Sequence, residues 1–227
     1  MPSVAENLEA IHARIAAAAA RAGKKTEDVE LLVVSKTFPP EIISEAVDAG
    51  QTLFGENKVQ ELLAKIPLLP SSLRWHLIGH LQSNKVRKVL PVVEAIHSVT
   101  SLDLARDINR IAAELGLFPK VYLEINVGAE ASKHGFNATS VGEQLEELYA
   151  LDRLFIQGLM CIPPFAPEVE KSRPYFAGLG ELRDKLEKLG GAPLPKLSMG
   201  MSHDFEVAIE EGATIVRVGS AIFGSRG

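Results

Sequence analysis

The chain has 227 residues, of which 46% are hydrophobic and 23% charged, and its formal net charge is −5 at pH 7. We expect residues 1–227 to form a single domain and a monomer. The acidic balance argues against a nucleic-acid partner, because such proteins neutralise phosphates with excess lysine and arginine. The short alanine run at 16–20 has charged neighbours, which excludes a membrane span or signal peptide, and the single Cys161 excludes an internal disulfide. Cytoplasm is therefore the expected location.

Short apolar or β-branched runs alternate with longer helical patterns, which is typical of an α/β protein with parallel strands. An amphipathic helix is expected first, at 3–22. Strands are expected at 31–35, 52–54, 75–78, 95–98, 121–126, 155–160, 196–199 and 214–218. Helices between them are expected at 40–49, 56–66, 83–90, 102–115, 140–150, 169–189 and 203–211.

Such an alternation can close into a barrel or form an open doubly wound sheet. The count of eight strands favours the barrel, as does the segment 35–39, SKTFP, which follows the first strand where a dinucleotide-binding sheet has its glycine fingerprint. We therefore predict a single (β/α)8 TIM barrel with an extra N-terminal helix, which could cover one end of the barrel.

Lys36 follows the first strand, at the rim where such barrels carry their active sites. A lysine there can simply extend into solvent. A functional role needs a neutral amine, because only an unprotonated lysine attacks an aldehyde, and a partly desolvated pocket lowers an amine's pKa in that direction. Position alone leaves both interpretations open.

The last two strands are followed by loops rich in glycine and hydroxyl groups. The segment 198–202, SMGMS, leads into a helix, and residues 219–220, GS, end the eighth strand. Loops after strands seven and eight are the usual phosphate site of this fold, where backbone N–H groups meet an anion. The pair of loops favours phosphate binding over the alternative that Ser202 is only a helix cap and Gly219 only a turn.

Arg217 places a permanent charge inside the buried strand 214–218. Burying a charge without partners is costly, so a structural salt bridge is one interpretation. The other is that the guanidinium faces the ring nitrogen of a pyridine cofactor. Because arginine stays protonated, that nitrogen would stay unprotonated, and extensive carbanion chemistry such as transamination would be disfavoured.

Several long stretches resemble the YggS/PROSC family of pyridoxal 5′-phosphate (PLP) homeostasis proteins. They are LLVVSKTFP, FGENKVQE, WHLIGHLQSNK, ASKHGF, GLMCIPP and LSMGMSHDFEVAIEEGATIVRVGSAIFG, and they run from the first strand to the C-terminus. The resemblance implies the fold of the N-terminal barrel of alanine racemase, with PLP held as a Schiff base on Lys36. Among the departures, Lys58 stands where an aromatic residue is common and Ser220 where threonine is frequent.

The same resemblance implies the residues around the cofactor. Those in the phosphate-binding segments are Ser198, Ser202, Gly219 and Ser220. Those lining the cofactor cavity are Asn57, His80 and Met199, while Arg217 faces the pyridine nitrogen.

Two classes of function fit these residues. One is a non-catalytic carrier that buffers PLP and delivers it to apoenzymes, and the other is a PLP-dependent amino-acid racemase. Racemisation needs an acid/base on each face of the substrate Cα, and alanine racemases bring the second, a tyrosine, from another domain across a dimer. Because the chain stops at Gly227 and Tyr122, Tyr149 and Tyr175 lie away from the predicted rim, we expect the carrier. An aldolase acting on a sugar phosphate fits less well, since Lys36 ends strand one.

Three other features have simpler interpretations. His76 and His80 have i, i+4 spacing but span a strand end, so we expect no metal site. Cys161 follows a buried strand and is expected to be an inert thiol. Lys133 could reach PLP transiently, although a solvated loop lysine is the favoured interpretation.

Overall fold

The structure, a computed structural model, describes residues 2–128 and 134–224. The strands are β1 (Glu30–Val34), β2 (Leu53–Glu56), β3 (Arg74–Leu77), β4 (Ala95–Val99), β5 (Lys120–Asn126), β6 (Phe136–Asn137), β7 (Phe155–Cys161), β8 (Lys196–Met201) and β9 (Ile215–Val218). The α-helices are α1 (Val4–Arg21), α2 (Pro40–Asp48), α3 (Val59–Lys65), α4 (Val86–Val89), α5 (Leu102–Leu115), α6 (Leu145–Tyr149), α7 (Arg173–Gly190), α8 (Phe205–Glu210) and α9 (Ser220–Phe223). In the ranges described, we find no helix with the length and apolar character needed to cross a bilayer.

Eight of these strands close into a parallel barrel. Around the ring the order is β1, β2, β3, β4, β5, β7, β8 and β9, and β9 pairs back with β1. The two-residue β6 pairs only with the end of β5 within the described chain. The predicted (β/α)8 barrel is therefore confirmed, and each of the eight predicted strands is present.

Side chains on the strands alternate between the barrel interior and the layer under the helices, because successive residues of a strand point to opposite faces. The interior cluster contains only strand residues: Leu32, Val34, Leu53, Ala95, Tyr122, Met160 and Ile215. The larger outer cluster joins the other faces of the strands to the helices and includes Ile11, Phe176 and Phe205. Whether a strand residue can reach the barrel axis thus depends on which of the two alternating faces of the strand it occupies.

The predicted N-terminal helix is present, and it lies beside the barrel and not over one of its ends. α1 packs against α2, α8 and α9 on the outside of the barrel. Near its start, Asn7 Nδ2 donates to the Ile222 carbonyl at 2.8 Å, and at its end Arg21 pairs with Glu210 at 2.7 Å. α1 takes the eighth place in the ring of helices because α9, only four residues long, is too short to fill it.

The helix predicted at 56–66 begins later, at Val59. Glu56 instead ends β2 and is fully buried. Its Oε1 accepts hydrogen bonds from Ser35 Oγ and Lys65 Nζ, each at 2.7 Å, and these bonds hold the carboxylate in its buried position. Tertiary partners therefore override the helical pattern at this position.

Candidate functional site

A cavity of about 430 Å³ opens at the carboxyl ends of the strands. Its lining residues are Val34, Lys36, Phe38, Asn57, Ile78, Ile162, Phe165, Met201, Ser202, His203, Arg217, Gly219 and Ser220. Six of the nine predicted site residues are therefore brought together here: Lys36, Asn57, Ser202, Arg217, Gly219 and Ser220. The aromatic and aliphatic part of the lining was not predicted, because apolar loop residues carry no chemical signature in a sequence.

A second cavity, of about 480 Å³, lies at the opposite mouth of the barrel. Four of its charged lining residues, Glu30, Arg74, Glu94 and Lys120, already pair with one another. Arg74 contacts Glu30 at 2.7 Å and Glu94 at 2.5 Å, and Lys120 contacts Glu94 at 2.8 Å. Because these charges satisfy each other, the cavity that contains Lys36 is the stronger candidate for a functional site.

Lys36 lies just beyond β1, on the strand face that points to the barrel axis, and its half-buried side chain lines the cavity. The backbone on each side of it is constrained. Lys65 Nζ donates to the Ser35 carbonyl at 2.9 Å, and the buried Ser35 hydroxyl donates to Glu56. Thr37 has a φ of 71°, a left-handed conformation that is uncommon for a residue other than glycine. These contacts determine where the lysine enters the cavity.

Ser202 and Gly219 meet on another wall of the same cavity. Ser202 Oγ accepts hydrogen bonds from the backbone N–H groups of Gly219, at 3.2 Å, and Ala221, at 3.4 Å. A Cβ at Gly219 would lie 2.9 Å from the Val34 carbonyl oxygen, so only glycine allows this close approach of the backbone to β1. Ser220 lines the cavity beside them, so this wall combines two hydroxyl groups with a backbone turn, the kinds of group that suit a phosphate.

Arg217 is a buried cation, 4% exposed, that lines the cavity. Its Nη1 donates to Ser198 Oγ at 2.7 Å and its Nη2 to the Cys161 carbonyl at 2.9 Å. Across residues 2–128 and 134–224, no carboxylate forms a salt bridge with it. Burial lowers the pKa of the Arg217 guanidinium, although arginine keeps its proton in proteins. The salt-bridge interpretation of Arg217 therefore has no support in this part of the chain.

Three predicted site residues lie away from the cavity wall. Ser198 is buried beneath Arg217, where its hydroxyl also hydrogen-bonds His97 Nδ1 at 2.8 Å. Met199 points the other way from β8 and is buried under the helices. His80 is exposed and stacks on His134, with ring centroids 4.4 Å apart. Ser198 and Met199 were expected at the rim because the predicted strand ended at 199. β8 instead continues to Met201, which leaves both residues inside the strand with their side chains on opposite faces.

Glu124 and His97 face the barrel axis but were not predicted as site residues. Burial raises the pKa of Glu124 to about 7, with the charge of Arg217 opposing the shift. Burial also holds the pKa of His97 well below its usual value, and neighbouring Arg217 adds to this effect. Strand alternation could have indicated that Glu124 shares a face with Tyr122 on β5, and His97 with Ala95 on β4. Only barrel closure, however, brings these strands near β9.

The histidine pair, the single cysteine and the loop lysine noted in the sequence lie in different surroundings. The His76 ring is buried and contacts His97, whereas His80 is exposed and stacks on His134. Within the described residues, no cluster of three or more His, Cys, Asp or Glu could hold a metal ion. Cys161 is fully buried, and burial raises the pKa of its thiol to about 12. A thiol with this pKa carries almost no thiolate at neutral pH. Lys133 lies outside the described residues.

Fold and site together define a (β/α)8-barrel protein with a lysine, a buried arginine and a cluster of serine and glycine residues in one cavity. The chain matches the family described as "Alanine racemase, N-terminal domain" over residues 7–227. It is 46% identical over 222 residues to the "Pyridoxal phosphate homeostasis protein" of Aquifex aeolicus (strain VF5), covering 97% of each chain. The chain belongs to this family of pyridoxal phosphate homeostasis proteins.

Solved structures agree with this assignment. PipY from Synechococcus elongatus, in its structure "with PLP bound", is 37% identical to this chain with a TM-score of 0.85, and the match covers 98% of this chain and 100% of PipY. An alanine racemase from Clostridium difficile 630 matches at 20% identity with a TM-score of 0.70, covering 88% of this chain and 53% of that one. The racemase shares the barrel fold.

Proposed function

We propose that this protein binds PLP reversibly and takes part in intracellular PLP homeostasis as a carrier or buffer. The observation that carries the proposal is that Lys36 and the cradle of Ser202, Gly219 and Ser220 line one cavity. An amine and a set of anion-binding donors are the two features needed to hold a phosphorylated aldehyde. The PLP-bound structure of PipY and the name of the Aquifex aeolicus relative support the same ligand.

The residues of the cavity fit PLP. Ser202, Gly219 and Ser220 would hold the phosphate, and Lys36 would hold the aldehyde carbon as a Schiff base. Arg217 would face the pyridine nitrogen, and Asn57 would lie beside the ring. The cavity volume of about 430 Å³ lies in the ordinary range for small-ligand sites. When bound, PLP supplies an electrophilic carbonyl and an electron-withdrawing ring, and the protein supplies its position and electrostatic surroundings.

We propose little catalytic turnover, with amino-acid racemisation as the alternative. A racemase needs an acid/base group on each face of the substrate Cα. Among the described residues no tyrosine lines the cavity, and the only titratable side chains in its lining are Lys36, His203 and Arg217. His203 Nε2 lies 3.2 Å from the carbonyl oxygens of both Ala166 and Pro167, so it is positioned for a structural contact. A protonated Arg217 at the ring nitrogen would further disfavour carbanion chemistry.

The proposal has four finer parts. The chain forms one domain over residues 1–227, acts as a monomer, lies in the cytoplasm and passes PLP to PLP-dependent apoenzymes. We expect no nucleic-acid partner. Light scattering tests the monomer. Transfer is tested by mixing PLP-loaded protein with an apoenzyme, with and without a trap for free aldehyde. Transfer that persists with the trap supports direct delivery, whereas transfer abolished by the trap restricts the role to buffering.

Covalent attachment gives the sharpest test of the site. Protein incubated with PLP should turn yellow, and borohydride reduction followed by peptide mass spectrometry should find the pyridoxyl group on Lys36. Lys36→Ala should abolish the adduct, because among the described residues no other lysine lines the cavity. Lys58→Ala is the matched control, since Lys58 is exposed on the loop after β2. Equal labelling of the Lys36→Ala protein would assign the attachment to another lysine.

The catalytic alternative is tested with free amino acids. Incubation of the PLP-loaded protein with L-alanine or L-serine should yield no appreciable D-enantiomer by chiral chromatography. A robust rate that Lys36→Ala abolishes would replace the carrier with a racemase.

A further inference from the structure

A chain of buried hydrogen bonds runs from Arg217 across the barrel interior. Arg217 Nη1 lies 2.7 Å from Ser198 Oγ, which lies 2.8 Å from His97 Nδ1, and His97 Nε2 lies 2.9 Å from His76 Nδ1. None of the four side chains is more than 4% exposed. They come from β9, β8, β4 and β3, so barrel closure alone brings them together.

The chemistry of the donors gives this chain a direction. The arginine guanidinium has only donors, so Ser198 Oγ accepts from Arg217, and we assign the Ser198 hydrogen to His97 Nδ1, the acceptor that lies 2.8 Å away. His97 then carries its hydrogen on Nε2 and donates it to Nδ1 of His76. Burial lowers the pKa of His76 to about 4 and that of His97 well below its usual value, so both rings are neutral near pH 7.

We propose that Ser198 and His97 are positioning residues that hold the Arg217 guanidinium in place against the pyridine ring of bound PLP. This inference rests on the proposed function. In the described chain, Arg217 has two protein acceptors, the Ser198 hydroxyl and the Cys161 carbonyl, and no carboxylate partner. A planar guanidinium donates along fixed directions, so the position of the Ser198 oxygen sets the plane of the group.

His97 matters because a hydroxyl group rotates. Ser198 presents a lone pair to Arg217 only when its hydrogen points elsewhere, and His97 Nδ1 supplies the acceptor that holds the hydrogen away. Removing this acceptor would leave the hydroxyl free to turn toward Arg217 or to lose its hydrogen bond altogether. The effect would reach the cofactor through Arg217, although neither Ser198 nor His97 lines the cavity.

The test compares His97→Leu and Ser198→Ala with His97→Asn, whose amide oxygen can replace the acceptor at Nδ1. Each variant is loaded with PLP, and its visible absorption spectrum is recorded against pH together with the PLP dissociation constant. We expect the first two variants to change the pH dependence of the spectrum and to weaken binding by about tenfold, the effect of losing one buried hydrogen bond. His97→Asn should stay close to wild type.

Thermal unfolding without PLP separates positioning from a purely structural role. A structural role would lower the unfolding temperature while leaving the spectrum and affinity of the folded protein unchanged, and that result would overturn the proposal. Ser198→Ala removes only one oxygen atom, so it remains informative if His97→Leu fails to fold. Wild-type protein that forms no borohydride-reducible adduct would overturn the proposed function as well, which distinguishes the two failures.

Discussion

Glu124 should make the protein less stable as the pH rises toward neutrality. Its side chain faces the barrel axis, and burial raises its pKa to about 7 from an ordinary value of 4.5, against the opposing charge of Arg217. Between these values the folded protein holds a proton that the unfolded chain has released. The contribution of Glu124 to stability is therefore fully present below about pH 4.5 and is lost as the pH rises through 7.

The magnitude follows from the two pKa values. Each unit of difference corresponds to about 1.4 kcal/mol, so a pKa of about 7 against 4.5 gives an upper limit of ~3 kcal/mol. Glu124→Gln removes the titration and keeps the shape and polarity of the side chain. Relative to wild type, we expect the variant to gain ~1–3 kcal/mol of unfolding free energy between pH 5 and pH 8.

Urea unfolding followed by circular dichroism measures this difference, with PLP removed from both proteins and the pH varied from 5 to 8. His76 and His97 titrate in both proteins, so their contributions cancel in the comparison. Glu9→Gln, on the exposed face of α1, is the matched control and should leave the pH profile unchanged. Parallel profiles for wild type and Glu124→Gln would refute the reasoning, because they would mean that Glu124 ionises equally in the folded and unfolded chains.

Two further predictions concern the barrel wall and the anion cradle. Gly158→Ala should destabilise the protein by more than ~3 kcal/mol in urea unfolding, because the new Cβ would lie 1.7 Å from the Lys196 carbonyl oxygen, whereas Gly178→Ala in α7 meets nothing within 4 Å and should be neutral or stabilising by ~0.5–1 kcal/mol. Equal effects of the two would contradict the close packing of β7 on β8. Ser202→Ala should weaken PLP binding about tenfold in a fluorescence titration, since it removes one hydroxyl from the cradle, while the control Ser140→Ala, at a half-buried residue outside the cavity lining, should not. Unchanged affinity in the Ser202 variant would remove that hydroxyl from the site.

Prediction from the sequence was most accurate where a local pattern has a single physical cause. Alternating apolar runs located all eight barrel strands, because a parallel strand covered on both faces must be apolar. It was less accurate where distant partners decide. Glu56 fits a helical pattern, yet Lys65 and Ser35 hold it in β2. The same limit applies to α1, whose amphipathic face is visible in the sequence but whose neighbours are not.

The site residues likewise divide into those that local patterns predict and those that tertiary contacts decide. Lys36, Ser202 and Gly219 could be placed at one rim from the sequence, because the carboxyl ends of parallel strands share an edge of the barrel. The depth of Ser198 could not, since β8 continues to Met201 and leaves the Ser198 side chain fully buried below the rim.

The amino-acid order of this protein was sufficient to determine its strands, its family and the lysine at the rim, since these depend on local periodicity and contiguous motifs. The tertiary structure alone decided that Arg217 is supported by a serine and two histidines from three other strands. Their contacts depend on the register in which the barrel closes, and residues so far apart in the chain leave no mark of that register in its sequence.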